Sequence, residues 1–545
     1  MSHRARTFQP GVLALILAGS GCAVVLGLDD FEDASGSGAQ GPGGNDSASV
    51  CTPRNMEQCY SGPRNTADVG SCRSGLRTCN GDGSAWGACK SEKLPDQESC
   101  ALDEDENCDG FDCTLWAQSF GKEAVAHSVA ADKEGNIIVA GRFFESIQFG
   151  AEPLESAGEA DAFVAAFDRS GSHLWSHKFG DAAAQEATSV SVDASGNVIV
   201  TGVSSGTINF GGADVGPGVF VAKFSSSGRH AWSRSFPANP INERKFDGFV
   251  RTVRPKVKST QHGDVIIAGT FRGNIELDDT TLVSTPANTL DMYLAKLDGS
   301  TGSTSAERGG WVRRLGSSDD DALIDVAVDR GENVILTGEH RTTITFGDLP
   351  QLDGSGMFLV KLDRDGTPAW SHSFANGHPS ALDVDALGNI STTGNYGESI
   401  EFGDDWTLAS PEGHTAFFVA QFDTSGDHRW SRDFEGTGHN AIGGISADSS
   451  NNLVLIGEFA EELRVDNEIL ERYELPSPWV LKLDASGNTL WAKSYGAHGI
   501  SFGIAVETDP SNEIVVTGSF SSGIDFDTGT LEAEADALFL AKLGI

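Results

Sequence analysis

Cysteine is absent after position 113, methionine occurs only 4 times in 545 residues, and 38 Lys and Arg face 78 Asp and Glu. Each shortage excludes something. Without later cysteines, most of the chain has neither crosslinks nor thiolate metal sites, and no CxxC pair supports a zinc ribbon anywhere. Scarce methionine beside 66 glycines disfavours helix bundles and favours turn-rich β structure. A net charge of −40 repels DNA, RNA and anionic headgroups, which excludes nucleic acid as a partner. The plain reading of that charge is a solubilising surface, and it also attracts divalent cations or basic ligands. Past residue 30 no apolar run is long enough to cross a membrane. HExxH, EF-hand and P-loop patterns are missing, and no acidic pair stands out as an acid–base dyad. Two G-x-S-x-G matches, Gly202 to Gly206 and Gly499 to Gly503, lie among expected strands, where a nucleophile elbow cannot form.

The first 22 residues have an export layout. Arg4 and Arg6 precede the apolar run Gly11 to Ala18, then Gly19-Ser20-Gly21 and Cys22. Cys22 resembles the acylated cysteine of bacterial lipoproteins, with Gly19 where that family prefers leucine. An uncleaved anchor running on through Leu26 and ordinary secretion stay open as alternatives. All three place the mature chain outside the cytoplasm. Residues 23–50, rich in Gly, Ser and Asp, read as a flexible linker.

Cys51, Cys59, Cys72, Cys79, Cys89, Cys100, Cys108 and Cys113 crowd the segment 51–113. A dense even set reads as a disulfide framework, with 105 pairings open. The segment resembles a module found ahead of repeat domains in bacterial surface lipoproteins. Its end, Leu102-Asp-Glu-Asp-Glu-Asn-Cys-Asp-Gly-Phe-Asp-Cys113, resembles the MopE-type metal-binding motif, although the glycine usual after the first cysteine is absent. That resemblance implies oxygen ligands at Asp105, Asn107, Asp109 and Asp112, a set that suits Ca²⁺. The competing reading is an acidic loop bounded by disulfides.

The remaining chain, 114–545, repeats. Trp116, Trp175, Trp232, Trp311, Trp370, Trp430 and Trp491 recur about 60 residues apart, with one longer step from Trp232 to Trp311. Each unit holds four short apolar runs; in the first these are His127–Ala131, Ile137–Phe143, Ala162–Phe167 and Leu174–Phe179. Asp132-Lys-Glu-Gly-Asn136 and Asp168-Arg-Ser-Gly171 join them as tight turns, so each pair is a β-hairpin. Glycine ends the second run at Gly141, Gly202, Gly269, Gly338, Gly394, Gly457 and Gly518. The third run reads FVAAF, FVAKF, YLAKL, FLVKL, FVAQF, WVLKL and FLAKL, apolar enough to be covered on both faces. The pattern predicts an all-β, seven-bladed β-propeller of four-stranded blades, preceded by the small disulfide-rich module. The last unit has three runs, and Thr114–Gly121 matches its missing fourth, so the predicted ring closes by pairing its own two ends.

These marks resemble the SBBP-type β-propeller repeat over all seven units. The resemblance implies the fold and leaves function open. Asp132, Asp193, Asp329, Asp385, Asp448 and Asp509 start turns in which Asp caps its own backbone, and calcium there would need more oxygens. His173, His177, His230, His372 and His428 flank the tryptophans and are expected on exposed strand positions. One insert, Pro237 to Gly263, is basic: Arg244, Lys245, Arg251, Arg254, Lys256 and Lys258. It reads as a solvated long loop or, alternatively, as a partner contact.

The expected protein is thus exported, lipid-anchored and monomeric, in the outer membrane or at the cell surface, otherwise secreted or periplasmic. Its membrane contact is the lipid alone. It requires no cofactor, with Ca²⁺ as the one candidate, and it binds an extracellular or envelope protein or polysaccharide. The leading expectation is a non-enzymatic binding or scaffold role. The alternative is a propeller-type hydrolase or lyase acting on extracellular polysaccharide or peptide. A channel lined by singular polar residues points to the enzyme, and one lined by repeat-equivalent residues points to the scaffold.

Overall fold

A computed structural model describes residues 50–63, 66–96, 100, 104–106, 108, 113–240, 243–246, 249–252, 254–403, 406–410, 415–438, 440–466, 468–470 and 476–545. The described residues fall into two compact units, 50–55 with Cys79–Trp86, and those within Met56–Thr78 and Gly87–Ile545. In the smaller unit Cys51 is bonded to Cys79, and Asn80 to Gly83 close a turn. The larger unit carries Cys59–Cys89, Cys72–Cys108 and Cys100–Cys113, and a short hairpin of Met56–Cys59 with Gly75–Thr78. The eight cysteines expected to crosslink do so, and four disulfides imply folding in an oxidising compartment.

The rest of the larger unit is a seven-bladed β-propeller. Blade 1 is an antiparallel meander of Ala124–Ala131, Ile137–Phe143, Asp161–Phe167 and His173–Phe179. The inner strands of blades 2 to 7 are Gln185–Val192, Lys256–Ser259, Asp321–Val328, Gly377–Val384, Asn440–Ala447 and Ser501–Thr508. Each inner strand touches the one before and the one after, including Ser501–Thr508 against Ala124–Ala131, so the ring is closed. Blade 7 takes its outer strand from the other end of the chain. Thr114–Phe120 pairs with Ala537–Leu543, Ala117 opposite Ala541 and Phe120 opposite Leu538.

The core lies between blades. Each of the seven main apolar clusters joins two neighbours; blade 1 and blade 2, for instance, share Val164, Phe179, Val200 and Phe220. The third strands, such as Asp161–Phe167 and Ala537–Leu543, are buried along their whole length. The second-strand glycines make room for this packing: a Cβ on Gly141 would collide with the Val125 carbonyl, and one on Gly518 with that of Phe502.

The tryptophans connect the blades. Trp116 lies on the Gly171 turn of the next blade, and its Nε1–H donates to the Arg169 carbonyl at 3.2 Å. Trp175, Trp232, Trp311, Trp370 and Trp430 repeat the arrangement on Gly228, Gly302, Gly366, Gly426 and Gly487, donating to Ser226, Gly299, Arg364, Thr424 and Ala485. These glycines have φ between 70° and 88°, so the turn both needs glycine and leaves a flat seat for indole. Among the described residues no such glycine turn lies against Trp491. The Cys100–Cys113 disulfide is in its cluster instead, with Tyr495 and Phe526. Gly544 N–H donates to the Cys113 carbonyl at 2.7 Å and Cys100 N–H to that of Ile545 at 3.2 Å. The disulfide therefore stands where a third-to-fourth-strand hairpin would be and ties both ends of the propeller to one covalent loop.

Replacing Cys100 and Cys113 by serine should cost about 3 kcal/mol. Hydrogen exchange should accelerate first in 114–120 and 537–543, before blades 3 and 4. Uniform exchange across all blades would show that this disulfide does not hold the seam.

Candidate functional site

The inner strands meet around a central channel, and a backbone irregularity decides what faces it. Six of the seven carry a β-bulge, between Ala126 and Ser128, Ala187 and Ser189, Leu323 and Asp325, Pro379 and Ala381, Ile442 and Gly444, and Gly503 and Ala505. A bulge re-aims the extra side chain. Here the extra residues are His127, Thr188, Ile324, Ser380, Gly443 and Ile504, and all six line the lumen. Blade 3 pairs without a bulge and contributes Lys256 to the same wall. The bulges thus present His, Thr, Ile, Ser, Gly and Ile from six otherwise similar blades, while Lys256, opposite Ala268 and so in register with Ser128, is what blade 3 adds to the same wall.

The mouth is as unequal. Behind each second-strand glycine the next residue is Arg142, Val203, Thr270, Glu339, Asn395, Glu458 or Ser519. Arg142, Glu458 and Ser519 line a cavity of about 480 Å³ with His127, Arg254 and Lys256. Glu186 organises one side. Its carboxylate is 2.6 Å from His127 Nε2, accepts from Arg254 Nε at 2.8 Å, and has Arg142 Nη1 at 3.6 Å. Burial opposes the Glu186 charge, but His127 and the two arginines outweigh it and hold its pKa near about 2. Burial, reinforced by Arg254, drops His127 to about 4. At neutral pH Glu186 is therefore ionised and His127 neutral. Across the mouth His378 Nδ1 is 2.9 Å from Glu339.

Deeper in the channel, the equivalent positions are Ala130, Ser191, Lys258, Ala327, Asp383, Ser446 and Glu507. Lys258, Asp383 and Glu507 stand on alternate blades and line a cavity of about 100 Å³. They are deep in the protein yet touched by the lumen. Burial pushes Asp383 up, and it pushes Glu507 up to about 7 against the pull of Lys258. Burial also penalises the Lys258 ammonium, but Asp383, Asp325 and Glu507 raise it overall.

The basic insert divides. Glu243–Phe246 and Phe249–Thr252, carrying Arg244, Lys245 and Arg251, pair as a hairpin. The expectation of one long loop is corrected for Arg254, Lys256 and Lys258: Lys256–Ser259 is the inner strand of blade 3, and all three residues belong to the channel. Only Val257 is apolar in this strand, because its other face meets a polar lumen, and the sequence signal fails for that reason.

Of the metal candidates, Asn107, Asp109 and Asp112 fall outside the described residues. Asp105 is next to Gly70, and its carbonyl accepts from Ser71 N–H at 2.8 Å. No group of three or more His, Cys, Asp or Glu placed to hold a metal occurs among the described residues. Cys22 also lies outside them. The turn aspartates cap their own backbone, as Asp132 does for Glu134 and Asn136. Four of them meet a buried third-strand lysine: Asp193 with Lys223, Asp329 with Lys361, Asp448 with Lys482 and Asp509 with Lys542, at 2.8–3.3 Å. The histidines beside the tryptophans are half-buried, contrary to the expectation of exposure. His177 Nε2 is 2.8 Å from the Gly228 carbonyl, the place that Gln118, Arg234, Arg313 and Arg432 take in other blades.

No family model matches the chain. It is 21% identical, over 522 residues, to an uncharacterized WD repeat-containing protein of Acanthamoeba polyphaga mimivirus, a match covering 75% of this chain and 36% of that protein. The chain thus spans about a third of the length of that curated relative. Among solved structures it is similar to the Dos1 propeller (TM-score 0.38, 8% identity, 79% of this chain and 94% of that one). It is also similar to the polysaccharide lyase Uly1 (TM-score 0.38, 8% identity, 77% and 89%) and to YCF48 bound to D1 peptide (TM-score 0.36, 8% identity, 78% and 94%).

Acid should act on the mouth cluster. The depressed pKa of His127 contributes stability that is complete above the unfolded value of 6.5 and lost as pH falls to about 4. That of Glu186 contributes above 4.5 and is lost towards about 2. Glu507 has the opposite sign, costing stability as pH rises from 4.5 through about 7. Glu507→Gln should therefore raise stability at pH 8 by about 1–3 kcal/mol and change it little at pH 4. Denaturant melts at the two pH values check this, and equal shifts at both would contradict the assignment.

Proposed function

We propose that the protein is an exported, lipid-anchored, monomeric binding platform of the envelope surface, which takes an extracellular protein or polysaccharide at the mouth of its propeller channel. The observation that carries this reading is the bulge level. A rigid ring repeats its strands, tryptophans and core seven times, yet turns unlike residues into one lumen from blade to blade. Repetition builds the scaffold, and departure from it marks the place where something particular is recognised. The groups at the mouth suit recognition. Among the described residues Glu186 is committed to His127, Arg142 and Arg254, rather than being poised to exchange a proton.

Export rests on the leader layout and the four disulfides, and anchoring rests on Cys22. The repeat is of SBBP type by its turn and third-strand residues, and Ca²⁺ at Asp105, Asn107, Asp109 and Asp112 rests on the MopE-like spacing. Immobilised full-length protein should capture a specific component from cell-envelope fractions, and Arg142→Gln with Arg254→Gln should abolish capture. Undiminished capture by that variant would place recognition outside the channel. Palmitate labelling should disappear in Cys22→Ala; retained labelling would rule Cys22 out as the acylation site. Terbium luminescence should drop in the Asp105→Ala/Asp109→Ala variant, and an unchanged signal would remove the calcium site.

The second reading, a hydrolase or lyase acting on polysaccharide or peptide, is favoured by the same loss of symmetry and by the deeper layer, where Glu507 near about 7 faces Lys258. Bond cleavage in envelope polysaccharide or peptide that vanishes in Glu507→Gln would establish it in place of the first.

A further inference from the structure

Resting on the channel-mouth reading, we infer that the mouth cavity binds a carboxylate carried on a compact ring, with the acid group held by Arg254 and Arg142 and the ring lying against the wall of Phe502, Ile504 and Ile324. The cavity is two-sided. On blades 1 to 3 it offers Arg142, Arg254 and Lys256; on blades 4 to 7 it is mostly apolar, with Ile324, Pro379, Ile442 and Phe502. Its volume of about 480 Å³ is that of a small-ligand site.

The cations are placed for use. Arg254 engages Glu186 through Nε alone. Its terminal amino groups make no hydrogen bond among the described residues, and its side chain is 22% exposed. Arg142 reaches Glu186 only at 3.6 Å, and its side chain is 37% exposed. Glu186 is itself 8% exposed, lying behind the two guanidiniums and fixing them. A planar guanidinium with spare parallel donors matches a carboxylate in a two-point contact. Lys256 is held by Asp325 at 3.3 Å and adds charge at longer range. Glu458 lines the same cavity, so an acid must enter oriented, its charge toward blades 1 to 3. Phe502, 40% exposed, gives a ring a flat apolar neighbour. In a chain of net charge −40, such a pocket excludes anions that cannot exploit the fork.

The test is calorimetric titration of the full-length protein with galacturonate and with benzoate, each against its uncharged counterpart, galactose and benzamide. At least one acid should bind 10-fold or more tightly than its counterpart. Arg254→Gln and Arg142→Gln should each weaken it at least 10-fold, Arg254→Lys should restore part of the loss, and Arg308→Gln on an exposed turn should leave it unchanged. Preference between the two acids separates a sugar acid from an aromatic one. Equal binding of acid and counterpart, no binding of either acid, or indifference to both arginine variants would overturn the inference; circular dichroism excludes unfolding as the cause. If neither acid binds while channel-dependent capture from envelope fractions persists, the ligand class fails and the platform reading stands.

Discussion

A four-stranded sheet that is apolar on both faces cannot persist alone in water, and the rest of this structure follows from that constraint. Each blade is stable only between two neighbours, so the array must end in caps or close on itself. It closes. Thr114–Phe120 completes the blade made by Ser501–Leu543, and each inner strand meets a neighbour on both sides. The tryptophans serve the same end. Six indoles each cover the glycine turn of the following blade, and at the seventh junction a disulfide takes the place of the turn. The cysteine-rich segment therefore reaches the propeller at the one junction where the repeat is interrupted.

The closed ring then allows the channel to vary. Because the core is distributed between blades, residues facing the lumen contribute little to apolar packing and are free to differ. In six blades a bulge turns one extra residue toward the lumen, leaving it unpaired while the ladder resumes on either side. Cations gather on blades 1 to 3, apolar groups fill much of the opposite wall, and a lysine and two acids share the deeper layer. Glu186 shows how a buried acid organises such a site: it draws in two arginines and a neutral imidazole, and it remains charged because they are there.

Most of the fold was legible in the chain, and most of the site was not. Residues that repeat, such as the glycines ending the second strands and the FVAKF-like third strands, answer one packing problem seven times and so stand out. Residues that recognise do not repeat. Arg142 follows a marked glycine without being marked itself, and His127 sits in an ordinary apolar run. Blade 3 hid its inner strand in Lys256–Ser259, where alternation faces a polar lumen instead of an apolar core. Arg254 and Lys256 stand out as unusual charge, but the sequence pattern places them in a loop.

The sequence by itself determined the hairpin turns, the sevenfold repeat and the complementary ends, because these arise from local propensity and from apolar patterns at short range. Only the tertiary structure decided which disulfides form, that Cys100–Cys113 stands in for the missing hairpin, and that His127, Glu186, Arg142 and Arg254 meet. Those four come from three blades, and what joins them is the curvature of the closed ring together with a bulge, neither of which leaves a mark in the spacing of residues along the chain.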